Sequence, residues 1–263
     1  MPKRKKGSTI YYSDIYNDDF EKTGLKRPPI PADYKFKREN PINNFFSNLL
    51  YFGLAIPLLG LICIFNGVKV KNKKNIRVLN KTGGFIYANH TNFLDMFQIQ
   101  VLVEGFKTRT NIIGYSDTAG IPFVKHVARA LGYIPIPDDL EGQAKFIKSL
   151  KFYCDKKQPI IVYPEAHIWP YYTDIRPFKT SPFHYPAKFN VPIIPIVTVF
   201  RKGLFKNSKP RETLIVGEVI YPKEGLSLSE NKEYLRDECY KKMKEISSSY
   251  EQYSFYNYIY REK

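Results

Sequence analysis

The sequence predicts an α/β fold, in which helices flank a mixed β-sheet and a membrane-associated helical segment lies near the N-terminus. Three observations support this prediction. The chain has 263 residues, the length of one domain with appendages, and 43% of them are hydrophobic, enough for a buried core. An uncharged apolar run occupies 45–65. From about Val68 onward, apolar runs alternate with helical stretches. We therefore divide the chain into a basic arm (1–40), a membrane-associated helical segment (41–67), an α/β domain (68–225) and a C-terminal amphipathic helix with its tail (226–263).

The apolar run reads FFSNLLYFGLAIPLLGLICIF and is about long enough to cross the hydrocarbon core of a bilayer. A run that is apolar on every face is more typical of a membrane segment than of an amphipathic core helix. Pro57 lies in its middle, and an interior proline breaks or kinks a helix. We therefore expect either one span or two short helices that enter one leaflet. Basic flanks, PKRKK (2–6) and KVKNKKNIR (69–77), favour the cytoplasmic face.

The elements of the α/β domain follow in order along the chain. Short apolar runs rich in β-branched and aromatic residues predict strands, and apolar residues at three-to-four spacing predict helices. The predicted strands are 84–88, 111–114, 133–136, 160–163, 193–200 and 214–220, and the predicted helices are 93–104, 121–131, 140–155 and 229–250. Such alternation is typical of an α/β fold. The aromatic tail YSFYNYIYREK could either dock on the domain or contact lipid.

The composition is strongly basic, with 41 Lys and Arg against 25 Asp and Glu, a net charge of +16. This excess predicts an anionic partner, which could be nucleic acid, a phospholipid surface or a phosphorylated substrate. The sequence contains no zinc-ligand spacing, glycine-rich phosphate loop or RNA-recognition signature, so nucleic acid is not predicted. Three widely spaced cysteines indicate a reducing compartment rather than a disulfide framework.

The motif NHTNFLD (89–95) follows the predicted strand GFIYA. Residues five apart on one helix point in different directions, so His90 and Asp95 can meet only if His90 precedes the helix and Asp95 lies in its first turn. Asn92 is a good N-cap for that helix, and an acid three residues later suits its positive end. An imidazole held by a carboxylate through one nitrogen has its other nitrogen free as a base. The alternative is a capped helix beside an unrelated histidine.

Three further blocks follow, YPEAHI (163–168), PFKTS (177–181) and VPIIPI (191–196). Together with NHTNFLD they resemble, in order and spacing, the HxxxxD, FPEGTR, PFKKG and VPIVPV blocks of the 1-acylglycerol-3-phosphate acyltransferase family. The resemblance covers roughly 66–222. It implies transfer of a fatty acyl group from a coenzyme A or acyl-carrier-protein thioester to a lipid hydroxyl, in phospholipid synthesis.

The resemblance also implies residue roles. His90 would be the general base and Asp95 the residue that orients it, while the block with Glu165 and His167 would line the acceptor site. A thioester is already activated, so a deprotonated alcohol and a stabilised oxyanion suffice without a covalent enzyme intermediate. The thioester is a co-substrate, and we expect neither a cofactor nor a metal, although these four side chains could in principle ligate one.

Two arginines of the family blocks are absent here. The arginine of EGTR is replaced by Ile168, and the arginine of GxIFIxR by Asp138. Family members place these arginines against the acceptor phosphate, where a guanidinium forms charge-assisted hydrogen bonds. We therefore expect one of two solutions. Either Arg176 or Lys179 takes the phosphate, assisted by His167, or the acceptor is a lysophospholipid or hydroxylated lipid without a phosphate monoester.

These observations predict an O-acyltransferase on the cytoplasmic face of the cell membrane, attached as a monotopic or single-span protein. Its expected partners are membrane phospholipids and acyl-CoA or acyl-carrier protein, without nucleic acid. The alternative is a non-catalytic basic protein that binds a membrane or nucleic acid. The sequence does not identify the acyl chain length, the acceptor or the oligomeric state.

Overall fold

The computed structural model of the chain describes residues 5–21, 29–31, 33–105, 108–115, 122–205 and 208–262. Among them, the strands are β1 (Thr9–Tyr12), β2 (Lys69–Lys71), β3 (Phe85–Ala88), β4 (Asn111–Gly114), β5 (Tyr133–Pro135), β6 (Ile160–Val162), β7 (Ile193–Arg201), β8 (Arg211–Val216) and β9 (Asn257–Tyr260). The α-helices are α1 (Pro41–Asn48), α2 (Ile56–Phe65), α3 (Leu79–Thr82), α4 (Asp95–Gln98), α5 (Pro122–Ala130), α6 (Leu140–Asp155), α7 (His184–Phe189) and α8 (Leu228–Ser248).

A seven-stranded sheet has the strand order β2-β8-β7-β3-β6-β4-β5. Neighbouring strands are parallel, except that β7 and β8 are antiparallel. This confirms the predicted α/β fold with a mixed sheet. β3 and β6 are buried on both faces, as is typical of strands that read as unbroken apolar runs. Because β3 and β6 are parallel neighbours, the segments that follow them leave the same edge of the sheet.

The predicted strands differ from the observed ones mainly at one edge. β2 was not predicted, because its sequence KVK has two exposed lysines, and an edge strand of that kind shows no apolar pattern. β8 begins at Arg211 and ends at Val216 rather than spanning 214–220. Beyond it, one isolated bridge joins Ile193 to Ile220.

Apolar side chains are buried on both faces of the sheet. One core packs α6, α7 and α8 against the sheet, and α8 contributes Leu235, Cys239 and Met243 at a spacing of four residues. The other core packs side chains such as Ile76 and Ile99 beneath the opposite face. The predicted amphipathic C-terminal helix is therefore confirmed. Its first turn carries a capping box, in which the side chains of Ser227 and Glu230 each bond the other residue's backbone N–H.

The apolar segment forms one helix, Pro41–Phe65, that is long and apolar enough to cross a membrane, with 17% of its most apolar part buried. This low burial does not fit a core helix. Of the two expected alternatives, the structure has one continuous helix rather than two short ones. The helix is π-helical over Leu49–Ala55, and the N–H of Ile56 donates to the carbonyl of Tyr51. This wider turn lets the helix continue through a proline that has no N–H to donate.

The basic arm and the C-terminal tail pair with each other. β1 and β9 form a separate parallel ladder, from Thr9 opposite Asn257 to Tyr12 opposite Tyr260. Behind this ladder, the Trp169 ring stacks on Tyr258 with 5.2 Å between ring centroids. The tail therefore docks on the protein, and it holds the arm beside the segment that follows β6.

Candidate active site

The site lies at the edge of the sheet where the parallel strands β3 and β6 end, the usual place for ligands in open α/β sheets. Asn89 directly follows β3, and its side chain is clamped to β7. Its Oδ1 accepts from the N–H of Thr198 at 2.8 Å, and its Nδ2 donates to the carbonyl of Thr198 at 3.1 Å. Beyond β6, the N–H of Trp169 donates to the carbonyl of His90. The NHTNFLD loop is thus fixed on both sides.

The predicted meeting of His90 and Asp95 is present. The Nδ1 of His90 lies 3.4 Å from Oδ2 of Asp95, because Asp95 opens α4 while His90 lies in the preceding loop. The same carboxylate oxygen accepts from the N–H groups of Thr91 at 2.6 Å and Asn92 at 2.8 Å. The loop therefore wraps around the Asp95 carboxylate, which orients the imidazole.

Asn92 does not have the predicted role of N-cap. The residue that precedes α4 is Leu94, which makes no side-chain capping bond. Instead, Oδ1 of Asn92 accepts from the N–H of Leu94, and Nδ2 donates to Oε1 of Glu212 at 3.0 Å. Asn92 therefore connects the loop to β8.

Burial determines the protonation of the pair. It lowers the pKa of His90 to about 3, although Glu165 opposes this shift, so the imidazole is neutral at pH 7. Burial also raises the pKa of Asp95, although hydrogen bonds from Thr91 and Asn92 favour its charged form. With its Nδ1–H directed at Asp95, a neutral His90 has its Nε2 lone pair available to accept a proton.

Glu165 is buried and does not line the site. Its carboxylate accepts from the backbone N–H of His90 at 3.1 Å and from the backbone N–H of Arg176 at 2.9 Å. It also pairs with Nη2 of Arg176 at 3.1 Å. Pro164, Ala166 and His167 of the same block line the cavity at His90, whereas Glu165 itself does not, because its oxygens position the His90 loop.

The side chain of Arg176 also lies in the interior of the protein and is paired there. Its side chain is fully buried, donates to the carbonyl of His167 and lies over the ring of Trp169 at 4.8 Å. It does not line the cavity at His90. The alternative in which Arg176 binds the acceptor phosphate therefore does not fit its position in the structure.

A cavity of about 510 Å³ opens at His90. His167 and Lys179 line it, as predicted for the acceptor side, and so does Ile168 at the position of the lost arginine. Apolar and aromatic side chains form most of the remaining wall, among them Phe93, Met96, Ile112, Tyr133, Ile136 and Tyr185. A cavity with one reactive end and long apolar walls suits an acyl chain.

The basic arm adds two carboxylates that sequence reasoning missed. Asp19 and Glu21 line the cavity, and Oδ2 of Asp19 lies 3.5 Å from Nδ1 of His167. Nζ of Lys179 donates to the side chain of Asn17 at 3.3 Å. No sequence signal connects the arm to a motif about 150 residues later, so only the folded chain brings these residues together.

Two other residues near His90 were not singled out from the sequence. The ring of Tyr163 stacks on His90 with 4.1 Å between centroids, at the position where the family block has phenylalanine. Glu212 is buried and accepts hydrogen bonds from the side chains of Asn92 and Gln98. Its pKa is raised, mainly by burial and also by the negative charge of Asp95. Among the residues that the structure describes, no group of three or more His, Cys, Asp and Glu side chains could hold a metal ion.

Comparisons with known proteins agree with this arrangement. The family model described as Acyltransferase matches residues 67–199. A 1-acyl-sn-glycerol-3-phosphate acyltransferase of Helicobacter pylori is 29% identical over 188 residues, which cover 62% of this chain and 76% of that protein. The crystal structure of the 1-acyl-sn-glycerophosphate acyltransferase PlsC from Thermotoga maritima has the same fold, with a TM-score of 0.53 at 17% identity over 80% of this chain and 96% of that one. The chain belongs to the acyltransferase family and is an acyltransferase.

Proposed function

We propose that this enzyme transfers a fatty acyl group from a thioester donor to the free hydroxyl of a lysophospholipid-type acceptor in a membrane. The observation that carries the proposal is the contact of His90 with Asp95 beside a largely apolar cavity. The names of the related proteins support an acceptor of the lysophosphatidate type.

The reaction follows from these residues. Nε2 of His90 accepts the proton of the acceptor hydroxyl while its oxygen attacks the thioester carbonyl. The Asp95 carboxylate stabilises the imidazolium that forms. When the tetrahedral intermediate collapses, the C–S bond breaks and the imidazolium returns its proton to the leaving thiolate. No covalent acyl-enzyme is needed, because the donor is already activated. Coenzyme A and acyl-carrier protein are both suitable carriers for this chemistry.

The charges at the acceptor side suggest which headgroup is bound. Lys179 and His167 can contact a phosphate, but Asp19 and Glu21 line the same cavity and would repel a doubly charged phosphate monoester. Arg176 is paired with Glu165. We therefore propose an acceptor whose phosphate carries a further substituent, or one without a phosphate, in preference to lysophosphatidate itself.

The Pro41–Phe65 helix supports a membrane location, and its exposed side chains include Phe45, Leu54 and Ile64. We propose that this helix attaches the enzyme to the cytoplasmic face, where the basic flanks meet anionic lipid. Labelling of single cysteines at the two helix ends in sealed membranes distinguishes a monotopic helix, labelled from one side, from a span.

The test of the function uses the purified full chain with acyl-CoA and with acyl-carrier-protein thioesters. Each donor is combined with lysophosphatidate, lysophosphatidylcholine, lysophosphatidylethanolamine or lysophosphatidylglycerol, and products are identified by mass. Formation of a diacyl product that is lost in His90→Ala supports the proposal. A lysophosphatidate preference that collapses in Lys179→Ala would overturn the proposed headgroup while leaving the acyl transfer intact. No product with any donor and acceptor would contradict the function.

A further inference from the structure

A second, larger cavity of about 910 Å³ lies between the first turns of the Pro41–Phe65 helix, the C-terminal half of α5 and the exposed side of α6. We call it the basic groove. None of its lining residues lines the cavity at His90. It also lies at the other end of the sheet, because Arg38 in its wall bonds the side chain of Asn111, the first residue of β4. The proposed acyl transfer makes no use of it.

The wall of the basic groove is strongly cationic. Among the described lining residues there is one carboxylate, Glu39, whereas the lysines and arginines are Lys35, Lys37, Arg38, Arg129, Lys145 and Lys148. Lys37 pairs with Glu39 at 3.6 Å and Lys145 with Glu141 at 2.7 Å. Lys35 and Lys148 have no ion-pair partner within the described part of the chain. Both of these lysines are exposed, and a cluster of positive charge in a groove favours an anion.

Two arginines make this wall rigid. Nη2 of Arg129 donates to the carbonyl of Lys35 at 2.5 Å and to that of Lys37 at 3.3 Å. The guanidinium of Arg38 lies over the ring of Tyr153 at 4.6 Å, and the backbone N–H of Arg38 donates to the hydroxyl of the same tyrosine. The segment that carries the lysines is therefore held in place before any ligand arrives, which reduces the entropy cost of binding.

The opposite wall is apolar and belongs to the membrane-associated helix. Phe46 and Leu50 line the groove, and Phe46 is 61% exposed. The neighbouring Phe45 and Leu49 are exposed as well, so the apolar wall is continuous with the surface that would contact lipid. A ligand that fills the groove must present an anion to one wall and hydrocarbon to the other.

We propose that the basic groove binds an anionic phospholipid, with its phosphate on the lysines of the cationic wall and its acyl chains along Phe46 and Leu50. Inorganic phosphate would use only the cationic wall, and an acidic protein would leave the apolar wall exposed to water. A phospholipid uses both walls at the depth where the helix meets the bilayer. The site is separate from the acceptor site and would hold a lipid that is not a substrate.

The experiment compares the full chain with two variants of equal charge change, on phosphatidylcholine vesicles with and without phosphatidylglycerol. Lys35→Ala/Lys148→Ala removes the two unpaired groove lysines. Lys232→Ala/Lys241→Ala removes two lysines of α8, outside the groove. We expect the groove variant to lose about fivefold in affinity for anionic vesicles per lysine, with unchanged binding to phosphatidylcholine, because its helix is intact. The α8 variant should bind both vesicles like the wild type, and circular dichroism checks that all three proteins are folded.

Equal losses in the two variants would show diffuse surface attraction and overturn the proposal. A second experiment adds inorganic phosphate, or chloride at the same ionic strength, to the protein bound on anionic vesicles and measures its release. Release of the protein from anionic vesicles by phosphate but not by chloride would indicate a free-phosphate site and would also overturn it. The proposal would also be overturned if the groove variant kept its affinity for anionic vesicles but no longer bound acyl-carrier protein.

Discussion

Glu212 on β8 accepts a hydrogen bond from the side chain of Asn92 at 3.0 Å, although the two residues are 120 positions apart in the sequence. The bond connects β8, the strand antiparallel to β7, to the loop that carries His90 and Asp95. A second amide, that of Gln98 in α4, donates to the other oxygen of Glu212. The loop that carries His90 is therefore anchored by a carboxylate that does not line the cavity.

Glu212→Ala should lower kcat more than it changes KM. The substitution leaves the side-chain amides of Asn92 and the buried Gln98 without this acceptor and loosens the loop. Misplacement of a catalytic group by about 1 Å can cost roughly 100-fold in rate. Steady-state kinetics with a saturating thioester measure the effect. Glu218→Ala is the matched control, since Glu218 is exposed and pairs with Lys242 at the surface. A change in KM alone would show that Glu212 acts on substrate binding and not on the loop.

His90→Ala should abolish transfer and leave fold and membrane binding unchanged. Loss of a general base costs about 10²–10⁴-fold in rate, and Asp95→Asn should cost less, because the imidazole remains. Product formation from a labelled thioester, together with circular dichroism, checks both variants. Near-normal turnover of His90→Ala would contradict the mechanism.

Glu165→Gln should destabilise the protein more than it perturbs substrate affinity. It leaves the buried Arg176 without its counter-charge, and breaking one partner of a buried ion pair costs about 3–5 kcal/mol. Urea unfolding measures the free energy of unfolding. The double variant Glu165→Gln/Arg176→Met removes both charges and should recover part of that loss. If the double variant is as unstable as the sum of both single variants, the pair is not the source of the effect.

His90 should remain neutral in the folded protein at pH values where it is charged in the unfolded chain. Burial lowers its pKa to about 3, whereas an unfolded histidine has a pKa of about 6.5. As the pH falls below the unfolded pKa, the unfolded chain binds a proton on this histidine and the native state does not. The free energy of unfolding therefore decreases towards acid pH. NMR of the labelled imidazole, in buffer and in urea, follows both states. A folded-state transition near the unfolded value would contradict the burial argument.

Leu54→Lys combined with Leu58→Lys should move the protein from the membrane to the soluble fraction. Both leucines are exposed on the Pro41–Phe65 helix, and a lysine at the centre of a membrane segment costs about 2.5–3.5 kcal/mol. Fractionation of membranes measures the change. Leu228→Lys, an exposed position on α8, serves as the control and should leave the distribution unchanged.

The parts of the fold that sequence reasoning predicted are local or apolar. β3, β6 and β7 are short, buried apolar runs, a pattern that predicts strands. His90 and Asp95 are five residues apart, so whether they meet depends only on where the helix that carries Asp95 starts. The Glu212–Asn92 bond, the Asp19–His167 contact and the β1–β9 ladder join distant segments of polar or mixed composition, and no periodicity marks such partners. The sequence could not decide whether Pro57 divides the helix, because the π-helical turn that accommodates it has no sequence signature. Arg176 was misassigned because sequence cannot show that Glu165 already neutralises it.

The parallel pairing of β1 with β9 also constrains the order in which the protein can be assembled. The ribosome delivers β1 first, and its partner strand β9 follows only after the whole α/β domain between them. During synthesis the arm has no ladder to join, while the helix that follows it is already available to the membrane. The wall that carries Asp19 is therefore completed only after the α/β domain and β9 have been made, so a nascent chain already positioned at the bilayer would lack a finished cavity at His90 until then.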